Sequence, residues 1–265
     1  MKSNYDIIWL DCIDSTNEEA RRRISDLDNL SVLSVLSQSC GRGQGGNSWV
    51  SEPGKNLLFS VLLKYSDDMG NGSSTPSVQA YDQFVISQMA SLAVVDLLAA
   101  HDIEARIKWP NDIYVGNRKV CGILIENMVR GKWLATSIIG IGLNVNQRNF
   151  DVNLPNPTSM ILAREENTGT DSEFFELNDL LEEFMDIFTG YLDRFCHITG
   201  GYSRLSRLYH AQLWHLNVPA EFLDTTNGIR FRGIIRGTSP VGHLLVELPD
   251  GNTREFAFKE IACVL

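Results

Sequence analysis

The chain has 265 residues, of which 43% are apolar and 21% charged, and its formal net charge is −10. Such a composition suits a soluble globular protein with a full core and excludes a largely disordered one; one domain of about 200 residues and a small second one is the expectation. The negative charge argues against a chain that coats nucleic acid or an anionic membrane, so an anionic ligand would have to be met by local basic residues.

The five cysteines, Cys12, Cys40, Cys121, Cys196 and Cys263, are odd in number and far apart. They form no Cys-x-x-Cys or zinc spacing, so reduced thiols and a cytoplasmic setting are expected. His210 and His215 are not spaced as a metal pair on one helical face. No signal peptide is expected, because Lys2 is followed by polar residues and a short apolar run. The longest apolar segment, Phe84 to Ala100, is broken by Ser87, Gln88, Ser91 and Asp96 and reads as too short and too polar to span a bilayer.

In chain order, Tyr5 to Leu10 reads as a strand. Asp14-Ser15-Thr16-Asn17-Glu18-Glu19 then opens a helix, with Thr16 and Glu19 spaced as a capping box and Ser15 with Glu18 as a second register of it. A helix start and a ligand role are both open for Asp14 to Asn17 and can coexist. Ser31 to Gln38 reads as a buried strand running into Cys40-Gly41-Arg42-Gly43-Gln44-Gly45-Gly46-Asn47-Ser48-Trp49, with four glycines and one arginine in six positions. Glycine permits positive φ and close approach of backbone to a ligand, and an arginine in such a loop suggests anion binding.

Asn56 to Leu63 is a strand, Lys64 to Gln79 a surface loop, and Tyr81 to His101 a helix with apolar residues at three-and-four spacing. Ile103 to Lys108 is a strand ending in Lys108-Trp109-Pro110-Asn111-Asp112. Ile113 to Val115 and Lys119 to Met128 form a hairpin about Gly116-Asn117-Arg118. Trp133 to Ile141 is a strand ending in Gly140-Ile141-Gly142-Leu143-Asn144-Val145-Asn146. A short helix is expected around Ser159 to Glu165, an amphipathic one over Asn178 to Phe195, and another over Tyr202 to His210. From about Leu216 the texture changes to four short strands, Val218 to Leu223, Ile229 to Arg236, His243 to Leu248 and Arg254 to Phe258, which suggests a small antiparallel barrel. Residues 1–213 are therefore expected to form one domain and 214–265 a second one.

Gly41-x-Gly43-x-x-Gly46 fits the dinucleotide fingerprint by letter, but the following Asn47 to Gly54 cannot start the helix that motif requires. Gly54-Lys55 lacks the first glycine and the Ser/Thr of a P-loop, and the kinase catalytic-loop and metal motifs are missing. What remains is four polar stations at loop or strand ends, two of them glycine-containing: Asp14 to Asn17, Gln38 to Trp49, Lys108 to Asp112 with Lys119, and Gly140 to Asn146.

Together these stations resemble the biotin protein ligase family. Its Gly-Arg-Gly-x-x-Gly-x-x-Trp loop matches residues 41–49, its Lys-Trp-Pro-Asn-Asp residues 108–112, its Lys-x-x-Gly-Ile-Leu-x-Glu residues 119–126, and its Gly-x-Gly-x-Asn-x-Asn residues 140–146. The resemblance implies an α/β catalytic domain with a mixed sheet, like that of class II aminoacyl-tRNA synthetases, and a C-terminal SH3-like barrel. It implies ATP-dependent activation of biotin to biotinyl-5′-AMP, then transfer to a lysine of a biotin carboxyl carrier protein. Lys119, Arg42 and Asp112 are the implied catalytic residues. Ser15, Thr16, Asn17, Gln38, Gly41, Arg42, Lys119 and Gly122 would hold biotin, and Trp49, Lys108, Asn111, Asp112 and Asn144 the nucleotide, with Mg²⁺ at Asp112. Repressor-type relatives have a more basic loop; here Arg42 is the one cation between Cys40 and Val50. Asp14 to Asn17 begins so early that no DNA-binding domain is expected before it. The partners expected are the carrier domain, without DNA or membrane, and the resemblance leaves monomer and homodimer open. A lipoate or octanoate ligase of the same fold and a non-catalytic biotin-binding module are the alternatives.

Overall fold

The structure, a computed structural model, describes residues 5–65, 77–195 and 201–264. Most of the expected loop between Lys64 and Gln79, and Cys196, lie outside the described residues.

The chain begins β1(Asp6–Ile13), α1(Thr16–Arg22), β2(Ser31–Gln38), β3(Leu57–Lys64), α2(Phe84–Ala100), β4(Arg106–Lys108), β5(Asp112–Val115), β6(Arg118–Arg130) and β7(Trp133–Leu143). It continues with α3(Met160–Thr168), α4(Leu177–Phe195) and α5(Gly201–Ala211). Five strands close the chain: β8(Pro219–Asp224), β9(Ile229–Thr238), β10(Leu244–Glu247), β11(Thr253–Phe256) and β12(Ile261–Cys263). The first seven strands make one mixed sheet in the order β1-β2-β3-β7-β6-β5-β4, in which β1 and β2 are parallel and the other neighbours antiparallel. The last five make a second sheet, β11-β10-β9-β8-β12. The sequence pattern finds four of these; β12 is missed because three residues are too few to show a period.

Strand alternation assigns each residue to one of two faces. Val32, Val61 and Ile139 enter the large core under α2 and α4, while their neighbours Leu33, Leu62 and Ile138 pack with Ala20 and Leu27 under α1. The helical stretch Ala80–Ala100, which contains α2, is long and apolar enough to cross a membrane by length and composition, contrary to the sequence reading. The apolar character of α2 has a different cause: twelve of its seventeen residues are buried in the protein, between the sheet and helices α4 and α5. The same core runs on into the second sheet through Phe222, Ile235, Leu244, Val246 and Phe256.

The expected capping box at α1 does not form. Ser15 is the N-cap in extended conformation and makes no side-chain capping bond. Glu18 and Glu19 turn outward to Arg21 and Arg22, and the Thr16 N–H is satisfied instead by Gln38 Oε1 at 2.8 Å. At α3 a cap does form: Ser159 Oγ accepts from Leu162 N, and Gly169 ends the helix in the left-handed conformation.

A joint between α5 and the second sheet depends on a neutral histidine. His210 Nε2 accepts from Thr238 N at 3.0 Å and lies 2.9 Å from Thr238 Oγ1. Burial pushes the imidazole pKa down. The unfolded chain therefore takes up this proton first, and the stability contributed by the neutral ring is present above about pH 6.5 and lost as pH falls below it. Thermal unfolding between pH 7 and 5 is expected to show falling stability, and His210→Gln a shallower slope over the same window.

Candidate active site

The register of β3, β7 and β6 builds the floor of a pocket. On the α1 side of the sheet, β7 presents Ile138, Gly140 and Gly142; β3 presents Leu62, Ser60 and Leu58 beside them, and β6 presents Glu126, Leu124 and Gly122. The aliphatic end of this surface lies under α1. The glycine end is left open because it has no side chains to fill it.

Helix α1 delivers its first turn to the border between the two. Ser15, Thr16 and Asn17 are buried. Ser60 Oγ lies 2.7 Å from both Thr16 Oγ1 and Asn17 Oδ1, and the Asn17 amide donates to Glu126 Oε2 at 2.9 Å and to the Leu124 carbonyl at 3.2 Å. Gly140 is obligatory here: a Cβ on it would stand 2.2 Å from Asn17 Oδ1. Asp14 anchors the turn by accepting from Ser15 N at 2.7 Å and pairing with Arg22 at 2.7 Å. The Arg22 hydrogen bond, followed by that of the Ser15 N–H, holds the Asp14 carboxyl well below the usual carboxylate range.

The glycine loop is a small hairpin. Trp49 N donates to Gly41 O at 2.9 Å and Gly43 N to Asn47 O at 2.7 Å, and the tip, residues 44–46, is one 3₁₀ turn with Gly45 and Gly46 at positive φ. Gly41 has to lack a side chain, since a Cβ would meet the Trp49 carbonyl oxygen at 2.4 Å. The hairpin folds back so that the Trp49 ring lies on the two glycines that face each other in register. Cβ atoms on Gly142 and Gly122 would stand 2.5 and 2.9 Å from it.

Ser15, Thr16, Asn17, Gln38, Arg42, Trp49, Asn111, Lys119 and Gly122 line this pocket together. With Trp49 in place its free volume is about 50 Å³, room for a few waters at about 10–15 Å³ each. A second cavity of about 460 Å³ shares Gly43, Gln44, Trp49, Asn111 and Lys119 with the first and adds Lys108, Asp112 and part of the second sheet. Two expected residues lie outside both. Gly41 acts through the backbone packing just described. Asn144 is buried with its amide donating to Thr158 O at 2.9 Å, where it ties β7 to the segment before α3.

The charged groups are paired with one another. Arg42 binds Glu18 and lies 3.4 Å from Glu126, which also takes Arg21 at 2.6 Å. Lys119 Nζ is 2.7 Å from Asp112 and 5.6 Å from the Trp49 ring centroid, and its backbone is bonded to Asn156 and Thr158. Lys108 Nζ donates to Tyr114 Oη at 3.0 Å. Two loop groups have no partner although buried, Trp49 Nε1 and Gln44 Oε1; an orphan donor and an orphan acceptor facing a pocket are what a polar ligand satisfies.

The family model for the biotin/lipoate A/B protein ligase family matches residues 9–144, the span that holds every element of this pocket. The chain belongs to that family. Among relatives of this ligase family, it is 29% identical to biotin–protein ligase 1, chloroplastic, of Arabidopsis thaliana over 94% of this chain and 67% of the relative. It is 28% identical to a biotin–[acetyl-CoA-carboxylase] ligase of Paracoccus denitrificans over 90% and 92%. Its fold is that of the biotin protein ligase of Aquifex aeolicus solved in complex with biotin and ATP, with a TM-score of 0.73, 24% identity and 98% of each chain covered.

Sequence reasoning assigned no site role to three residues that brace the pocket. Glu126 and Glu18 hold Arg42 and Asn17, and Ser60 joins α1 to the sheet. Ser60 carried a legible signal, as a lone hydroxyl within Leu57-Leu58-Phe59-Ser60-Val61-Leu62-Leu63. Gly140→Ala is expected to cost about 1–3 kcal/mol by forcing Asn17 off its partners, measured by urea unfolding. Gly190→Ala is the matched control: its Cβ would meet nothing within 4 Å on helix α4, and it should gain about 0.5–1 kcal/mol.

Proposed function

We propose that the protein is an ATP-dependent biotin–protein ligase that works through an adenylate. The observation that carries this reading is the meeting of three stations on one pocket. The polar turn Ser15 to Asn17, the loop with Arg42 and Trp49, and Lys119 come from distant parts of the chain and share a glycine floor.

Biotin's ureido head is neutral and needs donors and acceptors. The Ser15 hydroxyl, left free by the missing cap, and the Thr16, Asn17 and Gln38 groups supply them. The tail then runs over Gly122, Gly140 and Gly142, which requires Trp49 to leave that floor. The second cavity takes ATP, with Lys108, Asn111 and Asp112 on its wall. An octanoyl or lipoyl tail has no polar head to offer the free Ser15 hydroxyl and its polar neighbours, and it suits a more apolar pocket.

In the first step a biotin carboxylate oxygen forms a bond to the α-phosphorus, and the bond from that phosphorus to the bridging oxygen of pyrophosphate breaks. Two anions must approach, so the barrier is electrostatic, and preorganised cations lower it. Arg42 and Lys119 are those cations. Arginine offers a planar fork and lysine a compact charge that follows the reacting phosphate. Both are neutralised here by Glu18, Glu126 and Asp112, so ligand entry is an exchange of carboxylate partners for substrate oxygens. In the second step a lysine amine of a biotin carboxyl carrier domain attacks the acyl carbon, and AMP leaves. Among the described residues no group of three or more His, Cys, Asp or Glu forms a metal cage. A single carboxylate, Asp112, beside Asn111 fits Mg²⁺ that arrives on the nucleotide, which needs only one or two protein carboxylates. Such an ion would shield the phosphate charge.

Biotin-dependent exchange of labelled pyrophosphate into ATP tests the reading. Exchange with biotin and none with lipoate or octanoate is expected; the reverse would make it a lipoyl-type ligase, and none with any acid a binding module. Lys119→Ala is expected to lower exchange by roughly 10²–10³-fold or more, with the thermal unfolding temperature little changed. Near-normal turnover would remove Lys119 from the mechanism.

A further inference from the structure

The loop carries one arginine, and that arginine is held by two carboxylates. A further cation reaches the loop from the second sheet. Residues Ala257 to Glu260 form the tight turn between β11 and β12, closed by Glu260 N donating to Ala257 O at 3.1 Å and Ala257 N to Glu260 Oε2 at 2.8 Å. Lys259 occupies its third position with φ +69°. Glycine is the ordinary residue at a turn position of that kind, because a side chain there is strained. A long cationic side chain held in a left-handed conformation invites a functional explanation.

The side chain crosses from the turn to the tip of the glycine loop. Lys259 Nζ is 3.4 Å from the Gly45 carbonyl oxygen. A Cβ on Gly45 would stand 2.6 Å from Lys259 Cε, so the loop tip and the lysine are fitted to each other. No carboxylate pairs with Lys259 among the described residues, whereas Arg42 and Lys119 are both paired. Lys259 and Lys108 both line the larger cavity, which also holds Asp112 and Lys119.

Resting on the ligase reading above, we propose that Lys259 is an ATP-binding residue supplied by the C-terminal sheet. It is placed by its turn to meet the nucleotide's phosphates and to hold the loop tip over them, making up for the loop's single arginine. The strained backbone aims the ammonium group at the cavity, and its unpaired charge is available to an anion without first releasing a carboxylate.

Steady-state pyrophosphate exchange on the full-length chain tests this. In Lys259→Met and Lys259→Gly, the KM for ATP is expected to rise at least tenfold and the KM for biotin to stay within twofold of the starting protein, while Lys259→Arg stays near the starting value for both. The glycine variant separates charge from strain, since it removes the ammonium group and relaxes the turn. If Lys259→Gly keeps its ATP KM within twofold, or if both KM values rise together, Lys259 serves only the turn or the loop and the proposal is overturned. Exchange by the unaltered protein is the reference: its absence would remove the ligase reading itself, whereas its presence with an unaltered variant would remove the role of Lys259 alone.

Discussion

The site depends on one register. Strand β7 pairs with β6 so that Gly142 faces Gly122 and Gly140 faces Leu124, with β3 placing Ser60 beside Gly140. A slip of one residue would turn Ile139 and Ile141 into the pocket and expose glycine to the core. The large apolar face under α2 enforces the register, because Ile139, Ile141 and Ile123 are buried there. The emptiness of the pocket on one face is thus secured by the fullness of the core on the other.

On that floor, each functional group is held by a group from elsewhere. Gln38 at the end of β2 satisfies the first N–H of α1, and the Ser15 side chain makes no capping bond. Glu126 holds Asn17, Arg21 and Arg42 at once. The pairing holds the cations beside the pocket, and it links the helix, the loop and β6 through shared acids. These contacts are partly exposed, and exposed ion pairs contribute little to stability; their consequence is placement.

The second sheet is part of the same body. It shares the core through Phe222, Ile235 and Phe256, receives the Trp109 indole N–H at the Gly242 carbonyl at 2.8 Å, and forms a wall of the larger cavity. The tip of the glycine loop touches this sheet as well as the first, through Lys259 Nζ at Gly45 O.

Much of the architecture is legible without coordinates. Apolar runs mark β2 and β3, three-and-four spacing marks α4, and glycine and proline mark the turns, because these are properties of neighbours along the chain. The two glycine stations, Gln38 to Trp49 and Gly140 to Asn146, are legible for the same reason: a ligand that needs close backbone approach leaves glycines together in sequence. The capping box that local spacing predicts at Thr16 is displaced by Gln38, a partner twenty-two residues away. Asn144 stands among the glycines as if it faced the pocket, but its amide is used by Thr158. The amino-acid sequence determined the elements and the inventory of polar and glycine stations. Tertiary structure alone decided which face of each strand the stations occupy, which carboxylate holds which cation, and that a lysine near the C-terminus reaches the loop. These are contacts between residues far apart in the chain, and local pattern carries no record of them.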